Sequence, residues 1–188
     1  NAKLQDSISG IRETLSFNRQ LHEIKQFEKP LNTGFSDFAA GYIDSSTIQV
    51  TTLKSNKKNL RDEFQAKLFF YDMEGLESNE MEDLSFPSEM SDTLDIANGF
   101  YLEEKQTFYY SQCTNTNEGK KLCDIYAIGF DGDTWSSAKR LEINTGEYTE
   151  TQATASINKQ GVTVLYFISD RAGGEGKLDI WASVADGE

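Results

Sequence analysis

Basic residues are scarce in this chain, and groups suited to metal or nucleophile chemistry are scarcer. Eighteen Lys and Arg face 31 acidic residues, for a formal net charge of −13. A surface this acidic repels phosphate backbones and anionic headgroups, so no nucleic-acid partner is expected. There is one histidine, His22, and there are two cysteines, Cys113 and Cys123. A zinc site would need two more ligands beside the cysteines, and His22 lies far off in sequence. No apolar run approaches the roughly 18–20 residues that cross a bilayer, so no membrane span is expected. The Gly-x-Ser-x-Gly elbow of serine hydrolases is missing. The glycines at 173–176 are followed by neither Gly-Lys-Ser/Thr nor a helix, so a phosphate cradle is excluded there. The start, Asn1-Ala2-Lys3-Leu4, has no Met and no apolar signal core, which reads as a processed or excised piece.

What is present is apolar enough to fold: 37% of the residues are hydrophobic and 12% aromatic, too many for a disordered chain. In residues 1–30, Leu4, Ile8, Ile11, Leu15, Leu21, Ile24 and Phe27 recur at mostly helical spacing. This predicts an N-terminal amphipathic helix, capped by Asp6 or Ser7 and stopped by Pro30. His22 falls within it and is read as structural.

From Leu31 the pattern changes to short aromatic and β-branched runs separated by turns. Strands are expected near 47–53, 67–72, 94–101, 107–113, 122–128, 139–143, 150–156, 162–169 and 178–184. The organising stretch is Leu165–Ser183, a strand, a reversal through Gly173, Gly174 and Gly176, and a second strand opening on Asp179-Ile180-Trp181. It recurs. Asp124-Ile125-Tyr126-Ala127 matches Asp179-Ile180-Trp181-Ala182, Thr107–Ser111 aligns with Leu165–Ser169, and Phe69-Phe70-Tyr71 aligns with Ile125-Tyr126-Ala127. Leu31-Asn32-Thr33-Gly34 returns as Ile143-Asn144-Thr145-Gly146. A period of about 56 residues, near that of propeller blades, accounts for all of these. The chain is therefore read as all-β, a partial β-propeller over 31–188. It has about three four-stranded blades (31–86, 92–143 and 144–188), the last lacking its outer strand. Three blades of this size do not close a ring. The remaining blades would come from a larger parent chain, the preferred reading, or from another chain.

Ile168-Ser169-Asp170-Arg171-Ala172-Gly173-Gly174 followed by Leu178-Asp179-Ile180-Trp181 resembles the WD40-like propeller repeat of the TolB type. Asn158-Lys159-Gln160-Gly161 stands where that repeat usually has Pro-Asp-Gly. Tyr109–Cys113, Cys123–Tyr126, Asp131-Gly132, Trp135 and Ile143-Asn144 together resemble the propellers of Bacteroidota OmpA-family envelope proteins. Asn32-Thr33 with Ser36-Asp37-Phe38 resembles the start of their first blade. The resemblance implies a periplasmic or outer-membrane-associated, exported protein, and some family members belong to the type IX secretion and gliding apparatus. The peptidoglycan-binding domain of that family has no counterpart here.

Cys113 and Cys123 flank a polar hairpin tip, where cross-strand neighbours meet disulfide geometry. They are a candidate disulfide, the alternative being two thiols of a cytosolic protein. Asp170, Arg171 and Asp179 can form a charged group with Arg171 forked onto a carboxylate, but the preferred reading is that Asp179 accepts backbone or Arg hydrogen bonds that fix the reversal. Asp124 recurs at the place of Asp179, so Asp124, Asp170, Arg171, Gly173, Gly174, Gly176 and Asp179 are read as turn architecture. Asp131-Gly132-Asp133 is read as a turn before Trp135, because the further acids of a calcium loop are missing. No cofactor is expected, with calcium at that turn the one candidate. Tyr42, Tyr71 and Tyr148 are read as core aromatics, with carbohydrate or protein contact as their alternative. The functional expectation is a non-catalytic interaction scaffold with a protein partner in the envelope. The alternatives are a carbohydrate-binding module and a propeller-type hydrolase.

Overall fold

A computed structural model describes residues 26–29, 31–55, 64–73, 94–132 and 134–184. These build three antiparallel sheets, each a contiguous meander. The first contains β1 (Asp37–Tyr42), β2 (Thr47–Ser55) and β3 (Phe64–Asp72). The second contains β4 (Asp95–Leu102), β5 (Thr107–Asn115), β6 (Lys121–Gly129) and the two-residue β7 (Lys139–Arg140). The third contains β8 (Glu150–Ile157), β9 (Thr163–Ser169) and β10 (Asp179–Val184). The fold is all-β, as expected. No ring closes among the described residues.

The sheets stack in chain order, because the first strand of each later sheet lies across the sheet before it. β4 touches β1, β2 and β3, and β8 touches β4, β5 and β6. Each junction encloses a core. Phe70, Ile96, Phe108, Tyr110 and Ile128 fill the first, with Trp135 packed on them. Leu102, Ile125, Ala153, Ala155, Leu165 and Phe167 fill the second. Leu31, Val50 and Tyr71 form a smaller cluster on the far face of the first sheet.

One irregularity recurs in every sheet. The register of the first strand slips after Phe38, Ala97 and Thr151, which pair with Thr51, Ser111 and Ile168. The next residue is left-handed each time: Ala39 at φ 52°, Asn98 at 56° and Gln152 at 51°. That conformation costs an L-residue about 1–2 kcal/mol. Three copies at one structural position mark the bulges as part of the repeated sheet plan.

The fold differs from the sequence expectation in four places. β1 was not expected as a strand, since its Ala39-Ala40-Gly41 centre has no strand signature. The strand expected over 139–143 ends at Arg140, because the Asn144 side chain takes over the edge of β6. Its Oδ1 accepts Ile125 N–H at 2.7 Å, and its Nδ2 donates to Ile125 O at 2.8 Å. The alignment of the repeats is displaced by one residue: Asp124 pairs with Gln112 and Asp179 with Ser169, so Tyr110, not Tyr109, corresponds to Phe167. Phe69 likewise corresponds to Tyr126. Finally, most of the helix expected over 1–30, including His22, lies outside the described residues, and residues 26–29 carry no helix.

Candidate functional site

The three bulges meet. Ala39, Asn98, Gly99, Gln152 and Ala153 line a common concavity of about 230 Å³ where the first strands of the sheets converge. It is held open by hydroxyls reaching across the junctions. Asn98 N–H donates to Thr51 Oγ1 at 3.1 Å, and Gln152 N–H donates to Ser111 Oγ at 3.1 Å. Thr151 Oγ1 also lies 3.0 Å from Ser111 Oγ. Gln49, 2% exposed, ties two bulges together by donating Nε2 to Ala39 O at 2.7 Å and to Gly99 O at 2.9 Å. A Cβ on Gly99 would lie 2.1 Å from Phe108 Cζ, so the ring packed against it from the neighbouring strand of the same sheet requires glycine there. The lining offers two carboxamides and backbone groups, and none of its side chains titrates in the physiological range. It is equipped to hydrogen-bond a polar partner.

A second constellation sits between linker and sheet. Glu150, 0% exposed, accepts from Arg171 Nη2 at 3.0 Å through Oε1, with Thr145 Oγ1 and Ser169 Oγ also in reach. Arg171 further donates to Ile143 O at 2.9 Å and stacks over the rings of Phe167 and Trp181. The first sheet repeats this design with smaller groups. Asp37 accepts from Thr33 N–H and Thr52 Oγ1, each at 2.7 Å. Lys54 lies 4.0 Å from the centroid of Phe69, as Arg171 lies over Trp181. Burial pushes the Asp37 carboxyl up, but the hydrogen bonds from Thr33 and Thr52 outweigh it and hold the pKa below the ordinary value.

The structure scatters the charged group expected on the hairpin. Arg171 pairs with Glu150, while Asp170 accepts Thr149 N–H at 2.7 Å and faces Lys120 at 3.8 Å. Asp179 accepts Gly176 N–H at 3.0 Å, and a Cβ on Gly174 would lie 2.0 Å from Asp179 Oδ2. Gly173 holds φ 100° in the same reversal. Asp179 thus fixes the reversal, as preferred, and the forked arginine weighed as the alternative at 171 occurs at Arg140, whose Nε and Nη2 bind Asp124 at 2.9 and 2.7 Å. Cys113 and Cys123 are register partners with their sulfurs joined at 2.01 Å. Asp131 accepts Thr134 N–H at 2.7 Å in a turn that sets Trp135 on Phe130, while Asp133 lies outside the described residues. Among the described residues, no group of three His, Cys, Asp or Glu is arranged to hold a metal. Tyr71 is buried and Tyr148 half-buried, whereas Tyr42 is 68% exposed and so departs from the core role.

Sequence reasoning missed Glu150, Asn144 and Gln49. The signal for Glu150 was the repeated Asn-Thr-Gly linker, which is followed four residues after Thr33 by Asp37 and five after Thr145 by Glu150. Comparison with known protein families, with curated proteins and with solved structures found no match.

Proposed function

We propose that this chain is a section of a WD40-like β-propeller acting as a non-catalytic scaffold that docks a protein partner in the bacterial cell envelope. The observation that carries it is the convergence of three equivalent bulges on one concavity whose lining has hydrogen-bonding amides and no titratable side chain. A propeller presents such an axis and a loop-bearing rim as a rigid platform. The cystine at the β5–β6 tip suits an oxidising compartment. On the resemblance of its repeats, the type IX secretion apparatus is the sharpest form of this reading.

The test is capture of envelope proteins on the immobilised chain, beside an Asn98→Arg/Gln152→Arg variant that crowds the concavity. A defined partner retained by the parent chain and lost by the variant supports the reading. Failure to retain any envelope protein, or hydrolysis of glycoside or ester substrates abolished by one Asp→Asn change, overturns it.

A further inference from the structure

We propose that the outward faces of the first and third sheets are two halves of one junction, and that their occupant is a second copy of this chain. Two copies related by a two-fold axis would close a ring of six sheets, within the usual range for propellers. The inference rests on the propeller reading above.

The third sheet's outward face repeats the second sheet's face that receives it. By register, Ile180 stands where Ile125 stands, and Tyr166 where Tyr109 stands. Ile125 is 0% exposed at the internal junction, whereas Ile180 is 80% and Tyr166 41% exposed. Val184 completes this apolar face at 56%. Exposed aliphatic and aromatic side chains in one row mark a contact surface.

The first sheet's outward face repeats the third sheet's inward one. Thr33, Asp37, Thr52, Lys54 and Phe69 stand where Thr145, Glu150, Ser169, Arg171 and Trp181 stand. Leu31 packs on Val50 as Ile143 packs on the cluster containing Phe167, the structural counterpart of Val50. Ile125 completes that cluster at the internal junction. On the first sheet an open cavity of about 350 Å³ lies there, lined by Asn32, Thr33, Lys54, Phe69 and Tyr71 among others.

The linker supplies the remaining piece. Asn144 clamps both backbone groups of Ile125. Its counterpart Asn32 donates its Nδ2 to Phe27 O and its backbone N–H to Glu28 O, and among the described residues it clamps no strand as Asn144 does. In the ring, Asn32 of one copy clamps the backbone of Ile180 in the other. Both complementary faces and the linker asparagine belong to this one chain, which makes it self-complementary from head to tail.

The experiment is sedimentation equilibrium of the 188-residue chain, of Ile180→Asp and of Asn32→Ala, with hydrogen exchange at the Asn98 and Gln152 amides. The expected result is a dimer that Ile180→Asp weakens at least about tenfold, since it would bury an unpaired charge. Asn32→Ala weakens it less, and both variants keep the parent's circular dichroism. A monomer at all concentrations, a dimer indifferent to both changes, or assemblies larger than a dimer overturns the inference. Protected Asn98 and Gln152 amides in such a case leave the stacked-blade reading standing, whereas unprotected ones remove both.

Discussion

Ile125 and Ile180 hold the same position in successive sheets, yet one is sealed at 0% exposure and the other is 80% exposed. Truncation should separate them. Ile125→Ala removes side-chain volume between the second and third sheets and should cost about 2–5 kcal/mol. Ile180→Ala, measured at a concentration where the chain is monomeric, should stay within about 0.5 kcal/mol. Urea midpoints of the two variants make the comparison.

Arg171 and Glu150 should behave as a unit. Arg171→Ala leaves a carboxylate at 0% exposure without its cation, a change expected to cost about 3–5 kcal/mol. Arg171→Lys should recover little of this, because an ammonium cannot reach Ser169, Ile143 and Glu150 together while stacking on Trp181. Adding Glu150→Gln to Arg171→Ala should restore part of the loss, and a double-mutant cycle measures the coupling.

Asn144 ends β7 by substituting a side chain for the strand. Asn144→Ala strips Ile125 N–H of its partner, while Ile125 C=O keeps the Leu141 N–H at 3.0 Å, and should destabilise by about 1–3 kcal/mol. The specific readout is faster hydrogen exchange at the Ile125 amide, with the β4–β5 amides changed less.

The cystine closes a short loop, with a sequence separation of 10. Reduction, or Cys113→Ser with Cys123→Ser, should lower stability by about 2–3 kcal/mol on the chain-entropy account. Thermal unfolding with and without a reductant tests this.

Acid should act on the first sheet through Asp37. Its folded pKa lies below the ordinary value, so the carboxylate contributes stability that is present above the unfolded pKa. That contribution is lost as pH falls through the folded pKa. Asp37→Asn should flatten the acid limb of a stability–pH curve and leave neutral pH nearly flat.

Strand positions were legible because aromatic and β-branched runs alternate with turn residues: β5, β6 and β9 fall within two residues of their expected bounds. Their register was not. Phe108-Tyr109-Tyr110 and Phe69-Phe70-Tyr71 place bulky residues on both faces, so a one-residue slip leaves the pattern looking the same while exchanging every face. The bulges were hidden for a related reason, since Ala39 and Gln152 carry no left-handed preference and only packing imposes it. Glu150 was hidden because its cation lies 21 residues away on a different loop. Asp124 and Asp179 were legible as repeats, and their partners, Arg140 and Gly176, were not.

Among the described residues every strand pairing joins sequence neighbours, from β1 with β2 to β9 with β10. No sheet waits for a distant segment, so each can form as a local meander with little loop-closure entropy. The hydroxyls that fix Asn98 and Gln152 both belong to the earlier sheet. Each new sheet therefore meets a finished surface as it emerges, and synthesis from the N-terminus builds the stack in chain order.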